Sequence, residues 1–344
     1  MDDSVFLKAC RREPTSHTPI WLMRQAGRYQ ATYQAIRSKV SFLELCRTPD
    51  LACQVTIDAV DQLGVDAAIL FADILLILEP LGVDFHFEPG AGPKIDTPVR
   101  SAADIDRLAE SIVSEESLGY VMQSVRQIRS ALEGRNVPLI GFAGAPFTLA
   151  SYAIEGGGSR DYRHTKTLMY SDEGAWNVLM QKMSGALANY LNAQIDAGAQ
   201  AVQLFDSWVG CLSPEDYRRY VQPHVKGIFE AIGGRVPMIH FGQGNALLYP
   251  VLKETGGDVI SVDWRLPLDT AWDMVGHDVG IQGNLDPTSI LGPREVMFER
   301  AQAVLDQAAG RPGHIFNLGH GILRWSTVDQ AKALVDYVHE KSAR

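Results

Sequence analysis

Two arginines near the start of the chain have the right type and spacing to hold an anionic small molecule. Arg24 and Arg28 lie in residues 23–29 (MRQAGRY). A guanidinium binds a carboxylate through two parallel hydrogen bonds and keeps its charge. Between the arginines, Ala26 and Gly27 carry almost no side chain, so that the backbone can approach a ligand. The segment favours an anion-binding site; the alternative is an arginine that pairs with a nearby acid for stability.

The distribution of charge also indicates a local anion site. The chain has a net charge of −10, whereas residues 1–50 hold six Arg and two Lys against three Asp and two Glu, which is 8 − 5 = +3. Such a basic segment favours anion binding, although a solvated helix face would show the same charges. The negative total disfavours nucleic acid or an anionic membrane as a partner of the whole surface.

Asp73, Tyr152, Ser207 and His320 are further candidates for contact with a substrate. Asp73 lies between apolar neighbours, where a carboxylate is poorly solvated unless it meets a cation or hydrogen-bond donors. It could also pair with an arginine purely for stability, which would still place it beside the anion site. His320 stands between Gly319 and Gly321, which have no side chains to cover it, although a lone histidine more often has a structural role. Tyr152 and Ser207 each offer a hydroxyl donor.

Short apolar runs, separated by helical patterns, predict the fold that positions these residues. Each run has the length of a buried strand and shows little alternation. Eight repeats of strand and helix are typical of a single-domain (β/α)8 TIM barrel over residues 1–344. A doubly wound sheet is the main alternative, but no Gly-x-Gly-x-x-Gly or Walker loop is present. The predicted strands are residues 19–23, 66–71, 137–142, 201–205, 236–241, 258–262, 279–282 and 314–318.

The carboxyl ends of barrel strands carry the chemistry in this architecture. Arg24 and Arg28 follow the first predicted strand, and Asp73 follows the second. Tyr152 and Ser207 come after the third and fourth strands, and His320 comes after the eighth. His240, at the end of the fifth, is expected in the wall of the barrel. We therefore expect the candidate residues to converge at one rim.

Two connections depart from the simple repeat. Residues 81–95 (LGVDFHFEPGAGPKI) predict a hairpin or lid, with Gly90-Ala91-Gly92-Pro93 as its turn. Residues 155–159 (EGGGS) predict a flexible loop that could fold over a ligand. Helix starts are expected at Thr48-Pro49-Asp50 and Ser213-Pro214-Glu215, where a hydroxyl precedes a proline and an acid.

Composition favours a cytoplasmic protein. No apolar run has the length of a membrane span, and the acidic start of the chain is unlike a signal peptide. Four cysteines without a CxxC pair suggest reduced thiols and give no support to a metal site.

Six motifs lie in order along nearly the whole chain: MRQAGRY (23–29), FADIL (71–75), GFAGAPFT (141–148), EGGGS (155–159), QLFDS (203–207) and NLGHG (317–321). Together they resemble the uroporphyrinogen decarboxylase family. The resemblance implies a homodimeric barrel without metal or organic cofactor that converts uroporphyrinogen III to coproporphyrinogen III by removing four acetate carboxylates. It implies substrate contacts at Arg24, Gln25, Ala26, Gly27, Arg28, Asp73, Tyr152, Ser207 and His320. The chain departs from the family at Arg324-Trp325-Ser326, where a proline-rich turn is usual.

A cofactor-free decarboxylation requires the substrate to accept the electrons of the broken bond. A pyrrole protonated next to the acetate arm can do so, and Asp73 suits the stabilisation of that cation. Arg24 and Arg28 suit the anchoring of carboxylates. The proton donor stays open among Arg24, Tyr152 and water, with Arg24 the favoured hypothesis.

Two other functions remain as alternatives. A corrinoid-dependent methyltransferase of the same superfamily needs a His-x-Cys zinc motif, whereas His240 is followed by Phe241 and Gly242. A non-catalytic tetrapyrrole carrier would retain the arginines but would not need Asp73.

Overall fold

The computed structural model describes residues 3–88, 90 and 92–344, and parallel strands form its centre. Seven of the strands in this part of the chain form one sheet, and the remaining two form an antiparallel pair. The strands are β1 (Ala68–Ile69), β2 (Phe85–Glu88), β3 (Gly92–Ile95), β4 (Leu139–Gly144), β5 (Ala201–Asp206), β6 (Met238–Gly242), β7 (Val259–Ser261), β8 (Gly280–Leu285) and β9 (His314–Leu318).

The parallel sheet runs in the order β1-β4-β5-β6-β7-β8-β9, and helices cover it. The helices are α1 (Val5–Cys10), α2 (Ala31–Arg37), α3 (Phe42–Arg47), α4 (Pro49–Leu63), α5 (Ala102–Asp106), α6 (Ser114–Ser117), α7 (Gly119–Ala131), α8 (Pro146–Glu155), α9 (Arg163–Ser171), α10 (Glu173–Asp196), α11 (Pro214–Tyr220), α12 (Gln222–Ile232), α13 (Tyr249–Thr255), α14 (Leu268–Val275), α15 (Arg294–Ala308) and α16 (Val328–Ser342). Among the described residues, no helix combines the length and the apolar character that crossing a membrane requires.

The segment predicted as the first strand closes the barrel between β9 and β1. Phe316 donates its N–H to the carbonyl of Pro19 (2.8 Å), and Asp66 donates its N–H to the carbonyl of Ile20 (2.9 Å). The segment pairs with β9 only as a single parallel bridge, Ile20 to Phe316. The Trp21 N–H donates to the carbonyl of Phe316 (3.4 Å), whereas Asp66 Oδ2 accepts from the Ile20 N–H. The predicted strand is thus reduced to a bridge, while the predicted TIM barrel is confirmed.

The other predicted strands coincide with observed ones to within a few residues. The prediction for 314–318 matches β9, whereas β1 keeps only two residues of the predicted 66–71. Strand β1 is short because the chain after it turns into the loop that carries Asp73. This loop leads directly into a short 3-10 helix at Leu76–Leu78.

Both predicted helix starts are present, but their capping differs. Ser213 accepts a hydrogen bond from the Asp216 N–H at the start of α11. Thr48 precedes Pro49 at the start of α4 as expected, yet its hydroxyl donates to the carbonyl of Glu44 (2.7 Å). The preceding helix α3 ends immediately before Thr48, so its free carbonyl competes successfully for that hydroxyl.

The predicted hairpin is formed by β2 and β3, which pair in an antiparallel register. Gly92 and Pro93 belong to β3, opposite Glu88 and Phe87, and are not turn residues as predicted. A proline is tolerated there because each strand of a two-stranded sheet has a free edge. Ala91 of the predicted turn lies outside the described residues.

The predicted flexible loop 155–159 is tied to this hairpin. Ile95 donates its N–H to the carbonyl of Gly156 (3.1 Å). Glu155 Oε1 accepts from both the N–H and the hydroxyl of Thr165, each at 2.8 Å. Gly156 and Gly157 adopt positive φ angles of 85° and 156°, which favour glycine. The hairpin and the loop therefore form one connected cover beside the strand ends.

Candidate active site

Arg24 lies at the carboxyl end of the barrel, in the loop that follows the bridge segment. Its side chain is exposed, and its backbone φ of 62° is in the left-handed region. The stem of Arg24 lies against Gly321, where a Cβ atom would come within 2.5 Å of Arg24 Cδ. Ile322 donates its N–H to the carbonyl of Met23 (2.8 Å). The loops after the first and last strands are thereby joined, and Arg24 lies at their junction.

Gln25 holds this loop in shape. Its side chain is 1% exposed; Oε1 accepts from the Leu22 N–H (3.1 Å), and Nε2 donates to the carbonyl of Ala67 (3.1 Å). The backbone carbonyl of Gln25 accepts a hydrogen bond from the hydroxyl of Tyr29 (2.6 Å). Both polar atoms of the Gln25 side chain therefore bind within the protein and shape the arginine loop, while its contact with substrate stays a prediction.

The rest of the segment lies closer to solvent. Ala26 is partly exposed and packs in a small cluster around Tyr33. Gly27 is tightly placed, because a Cβ atom there would lie 3.1 Å from the carbonyl oxygen of Arg24. Arg28 is exposed, and its carbonyl accepts from Gln34 Nε2 (2.6 Å). The guanidinium of Arg28 is thus available to a ligand.

Asp73 follows β1 and is partly buried. Burial raises the pKa of its carboxyl group, while the Leu75 N–H and the positive charge of Arg24 lower it in part. The Leu75 N–H lies 2.9 Å from Asp73 Oδ1. Asp73 is therefore close enough to Arg24 for their charges to interact, in a setting that leaves the carboxylate poorly solvated.

Tyr152, on α8, shares the same electrostatic environment. Burial raises the pKa of its phenol to about 12, with a further increase from Asp73 and a decrease from Arg24. Its ring stacks on Trp208 with the ring centroids 3.8 Å apart. The phenol therefore stays protonated, and the indole holds it in place.

Ser207 immediately follows β5 and is partly buried. Its carbonyl accepts from Gln243 Nε2 (3.0 Å), which ties it to the loop after β6. Behind it, Asp206 is completely buried and accepts the Thr148 hydroxyl at 2.9 Å. Burial raises the pKa of Asp206 to about 7. The backbone N–H of Trp208 donates to the same Thr148 oxygen (3.3 Å), which helps to hold this residue beside Tyr152.

His320 follows β9 as predicted. Burial lowers its pKa to about 4, and the positive charges of Arg24 and Arg265 lower it further. The Gly321 N–H donates to Nδ1 at 2.7 Å, so the neutral ring carries its proton on Nε2. His320 is thus a neutral hydrogen-bond donor at pH 7. Beyond it, the unusual Trp325 is exposed and lies under the guanidinium of Arg324.

A row of aromatic side chains extends from neighbouring strands to His320; Phe205 is partly exposed, whereas Phe142 and Phe241 are buried. The Phe142 and Phe205 ring centroids are 5.6 Å apart, and Phe205 and Phe241 are separated by the same distance. Phe241 lies 6.2 Å from the His320 ring. The partly exposed ring of Phe205 offers an apolar contact on the side of the barrel that carries the arginines, which suits a ligand with a hydrophobic body and anionic arms.

Sequence reasoning missed two features of this rim. Trp208, which supports Tyr152, and the group Asp263-Trp264-Arg265, which follows β7, were not predicted. The same rule that found Asp73 and His320 would have found Asp263 and Arg265, because they come directly after the predicted strand 258–262.

His240 occupies the wall position that was expected. It is 0% exposed, its ring contacts Phe229, and burial lowers its pKa to about 4. Elsewhere, His17 and His339 both contact Asp66, which precedes β1 at the opposite end of the barrel. Among the described residues, His17, Asp66 and His339 are the group whose potential ligand atoms lie close enough together, within 4.8 Å, to hold a metal ion.

The fold and site define an α/β-barrel enzyme whose carboxyl-end rim brings together two exposed arginines, a poorly solvated carboxylate and aromatic rings. The model of the family described as "Uroporphyrinogen decarboxylase (URO-D)" matches residues 1–341. The chain belongs to the uroporphyrinogen decarboxylase family.

Similar proteins agree with this placement. The uroporphyrinogen decarboxylase of Sorangium cellulosum is 58% identical over 97% of this chain and 95% of its own length. That of Carboxydothermus hydrogenoformans is 54% identical over 100% of this chain and 97% of its own length. Among solved structures, a methyltransferase from Methanosarcina mazei matches with a TM-score of 0.75 and 18% identity, over 98% of this chain and 97% of that one. This last likeness concerns the fold alone.

Proposed function

We propose that the protein decarboxylates the four acetate arms of uroporphyrinogen III, which gives coproporphyrinogen III and CO2 in tetrapyrrole biosynthesis. Family membership over residues 1–341 supports this reaction. The observation that carries it is the placement of Arg24, Asp73 and Tyr152 within electrostatic reach of one another, beside an apolar contact surface that includes the partly exposed ring of Phe205. A macrocycle with carboxylates around its edge matches such a surface in both shape and charge.

The substrate itself supplies the electron sink. A proton adds to the pyrrole carbon next to the arm, and the ring becomes cationic. The bond between the methylene carbon and the carboxylate then breaks, its electron pair moves into the ring, and CO2 leaves. A second proton adds to the methylene carbon and the ring proton is lost, so that each arm consumes one proton in total. The protein needs to bind, orient and stabilise charge.

Asp73 stabilises the cationic ring in this scheme. Its carboxylate is poorly solvated, so a cation beside it is attracted more strongly than it would be in water. At ~4 Å and an effective dielectric constant near 20 the attraction is about 4 kcal/mol. Asp73 would also accept the pyrrole N–H groups, and it is the first proposed catalytic residue.

Arg24 is the second proposed catalytic residue. It would bind the carboxylate of the reacting arm and deliver the proton to the methylene carbon. His320 is a weak candidate for that proton, because its pKa of about 4 leaves it neutral at pH 7. Tyr152, with a pKa of about 12, would act as a hydrogen-bond donor, as would Ser207. Arg28 would anchor a second arm.

The replacement Asp73→Asn tests the proposal. Wild-type protein incubated anaerobically with uroporphyrinogen III should release four CO2 per ring, whereas the variant should lose roughly 100- to 1,000-fold in kcat, as when one electrostatic partner of a transition state is removed. Porphyrin binding should persist in the variant. Asp336→Asn, on the outer surface of α16, is the matched control and should retain full activity. Wild-type protein without CO2 release would disprove the function, and an unchanged Asp73→Asn would disprove the role of this carboxylate.

The family resemblance also supports a cytoplasmic homodimer as our proposal for the protein in its cell. The four cysteines are free thiols, which fits a reducing compartment. Light scattering should report twice the chain mass of 37.8 kDa, and a monomer mass would contradict the dimer.

A further inference from the structure

Arg265 is an ion-paired arginine on the rim, in the loop after β7, three strand positions around the barrel from the loop of Arg24. It follows β7 by four residues, and therefore lies at the same carboxyl end of the strands. Its N–H donates to Asp263 Oδ1 (2.9 Å), and its Nη1 donates to Asp263 Oδ2 (2.6 Å). The Asp263 side chain is 3% exposed, whereas that of Arg265 is 52% exposed. A buried carboxylate thus fixes a guanidinium that faces outward.

Neighbouring loops reinforce this placement. The guanidinium lies 4.2 Å from the centroid of the Trp264 ring. Trp264 abuts the loop of His320, because a Cβ atom on Gly319 would lie 2.5 Å from the Trp264 nitrogen. Asp263 Oδ2 also accepts the Gly244 N–H (2.7 Å), from the loop after β6. The loops after three strands therefore converge on this arginine.

The charge of Arg265 acts inside the candidate site. It lowers the pKa of His320, as the charge of Arg24 does, while its partner Asp263 opposes this effect. Within the described part of the chain, the Nε and Nη2 groups of Arg265 have no hydrogen-bond partner. These groups form one edge of the fork that a carboxylate binds with two parallel hydrogen bonds.

We propose that Arg265 binds a carboxylate arm of the tetrapyrrole, a role that rests on the proposed function. Arg24 and Arg28 both come from the loop after the bridge at Ile20, whereas Arg265 comes from the loop after β7. Eight carboxylates spread around a ring cannot all be neutralised from one loop. A cation on a separate sector of the rim balances the charge and sets the orientation of the ring.

The arm at Arg265 is one that does not react in that binding mode. About half of the Arg265 side chain remains in water, whereas the carboxylate of Asp73 is enclosed enough to raise its pKa. Charge stabilisation of the transition state is strongest where water is excluded. Arg265 therefore contributes equally to the ground state and the transition state, which affects KM and leaves kcat largely unchanged.

Three substitutions of Arg265 test the inference, with two readouts. Arg265→Ala should raise KM for uroporphyrinogen III roughly 5- to 20-fold, with kcat within about 2-fold of wild type, which is the effect of one charge-assisted contact. It should weaken the binding of uroporphyrin III, an oxidised and unreactive octacarboxylate, by the same factor. Arg265→Gln should behave like the alanine variant, and Arg265→Lys should fall between that variant and wild type. Arg235→Ala, which removes a surface pair with Asp196, is the control.

The results separate this inference from the proposed function. Porphyrin binding that depends on Arg265 in a protein that releases no CO2 would retain the inference and disprove the function. Normal turnover with unchanged KM and porphyrin affinity in Arg265→Gln would disprove the inference. If Arg265→Ala unfolds because Asp263 loses its partner, the glutamine and lysine variants decide. A purely structural role predicts a lower melting temperature without the matched loss in KM and porphyrin affinity.

Discussion

Arg24 has a strained backbone at the centre of the proposed chemistry. A left-handed conformation costs a non-glycine residue about 1–2 kcal/mol. The surrounding contacts hold it there: Met23 donates its N–H to Asn317 Oδ1 (3.0 Å), and Gln25 donates its N–H to the carbonyl of Leu22 (2.8 Å). Residues in such conformations concentrate at functional sites, where strain is accepted in return for the direction of a side chain. Arg24 points away from its own segment and along Gly321.

Gly321→Ala should reduce activity by displacing Arg24. The new Cβ atom would lie 2.5 Å from Arg24 Cδ and 2.9 Å from its Cγ, so the side chain must move. Because a flexible stem can yield, we expect a loss of roughly 10- to 100-fold in kcat/KM, as for misplaced catalytic groups, with a small change in stability. Steady-state kinetics and thermal melting measure the two effects.

The matched control for this variant is Gly227→Ala. Gly227 lies in α12, and a Cβ atom there meets no atom within 4 Å. It should leave kcat/KM unchanged. Wild-type kinetics in Gly321→Ala would show that the position of the Arg24 stem is unimportant.

At the scale of elements, most strands and helices could be predicted, because their signals are local. The run 314–318 is β9, and Ser213-Pro214 begins α11 as its capping pattern indicates. The turn of the hairpin was misplaced, because Gly92 and Pro93 are typical of turns but pair here with β2. The loop 155–159 was expected to be flexible from its glycines. Its contact with Ile95 could not be foreseen, since it depends on a hairpin about 60 residues away in sequence.

At the scale of the whole molecule, one acidic side chain closes the barrel. Asp66 accepts the Ile20 N–H (2.8 Å) and contacts His17 and His339 at 3.1 and 2.8 Å. These partners come from the bridge segment, the N-terminal stretch and α16. Burial alone would raise the pKa of Asp66, but its hydrogen bonds with His17 and His339 hold it below the usual value. Asp66 therefore stabilises the fold most when it is ionised.

Asp66→Asn should lower the free energy of unfolding by about 1–3 kcal/mol at pH 7, the effect of weakening buried charge-assisted hydrogen bonds. Because the folded-state pKa lies below the unfolded value, the contribution of the carboxylate is complete above pH ~5 and declines as the pH falls through the folded pKa. The difference between wild type and variant should therefore shrink below pH ~4. Urea unfolding over this pH range measures it. Asp336→Asn, an exposed pair with Lys332, should show little effect at any pH, and a constant difference for Asp66→Asn would contradict the ionic mechanism.

The order of strands and helices, the barrel class and the residues at the strand ends follow from the sequence, because periodicity and capping are properties of neighbouring residues. Arg24, Asp73, Tyr152 and His320 could be named for that reason. Their environments are decided by tertiary structure: the raised pKa of Asp73, the neutral His320 and the stacking of Tyr152 on Trp208 arise from burial and contact between distant segments. The reduction of the first strand to a bridge has the same origin, since the Asp66 and Asn317 side chains take N–H groups that a strand would have used.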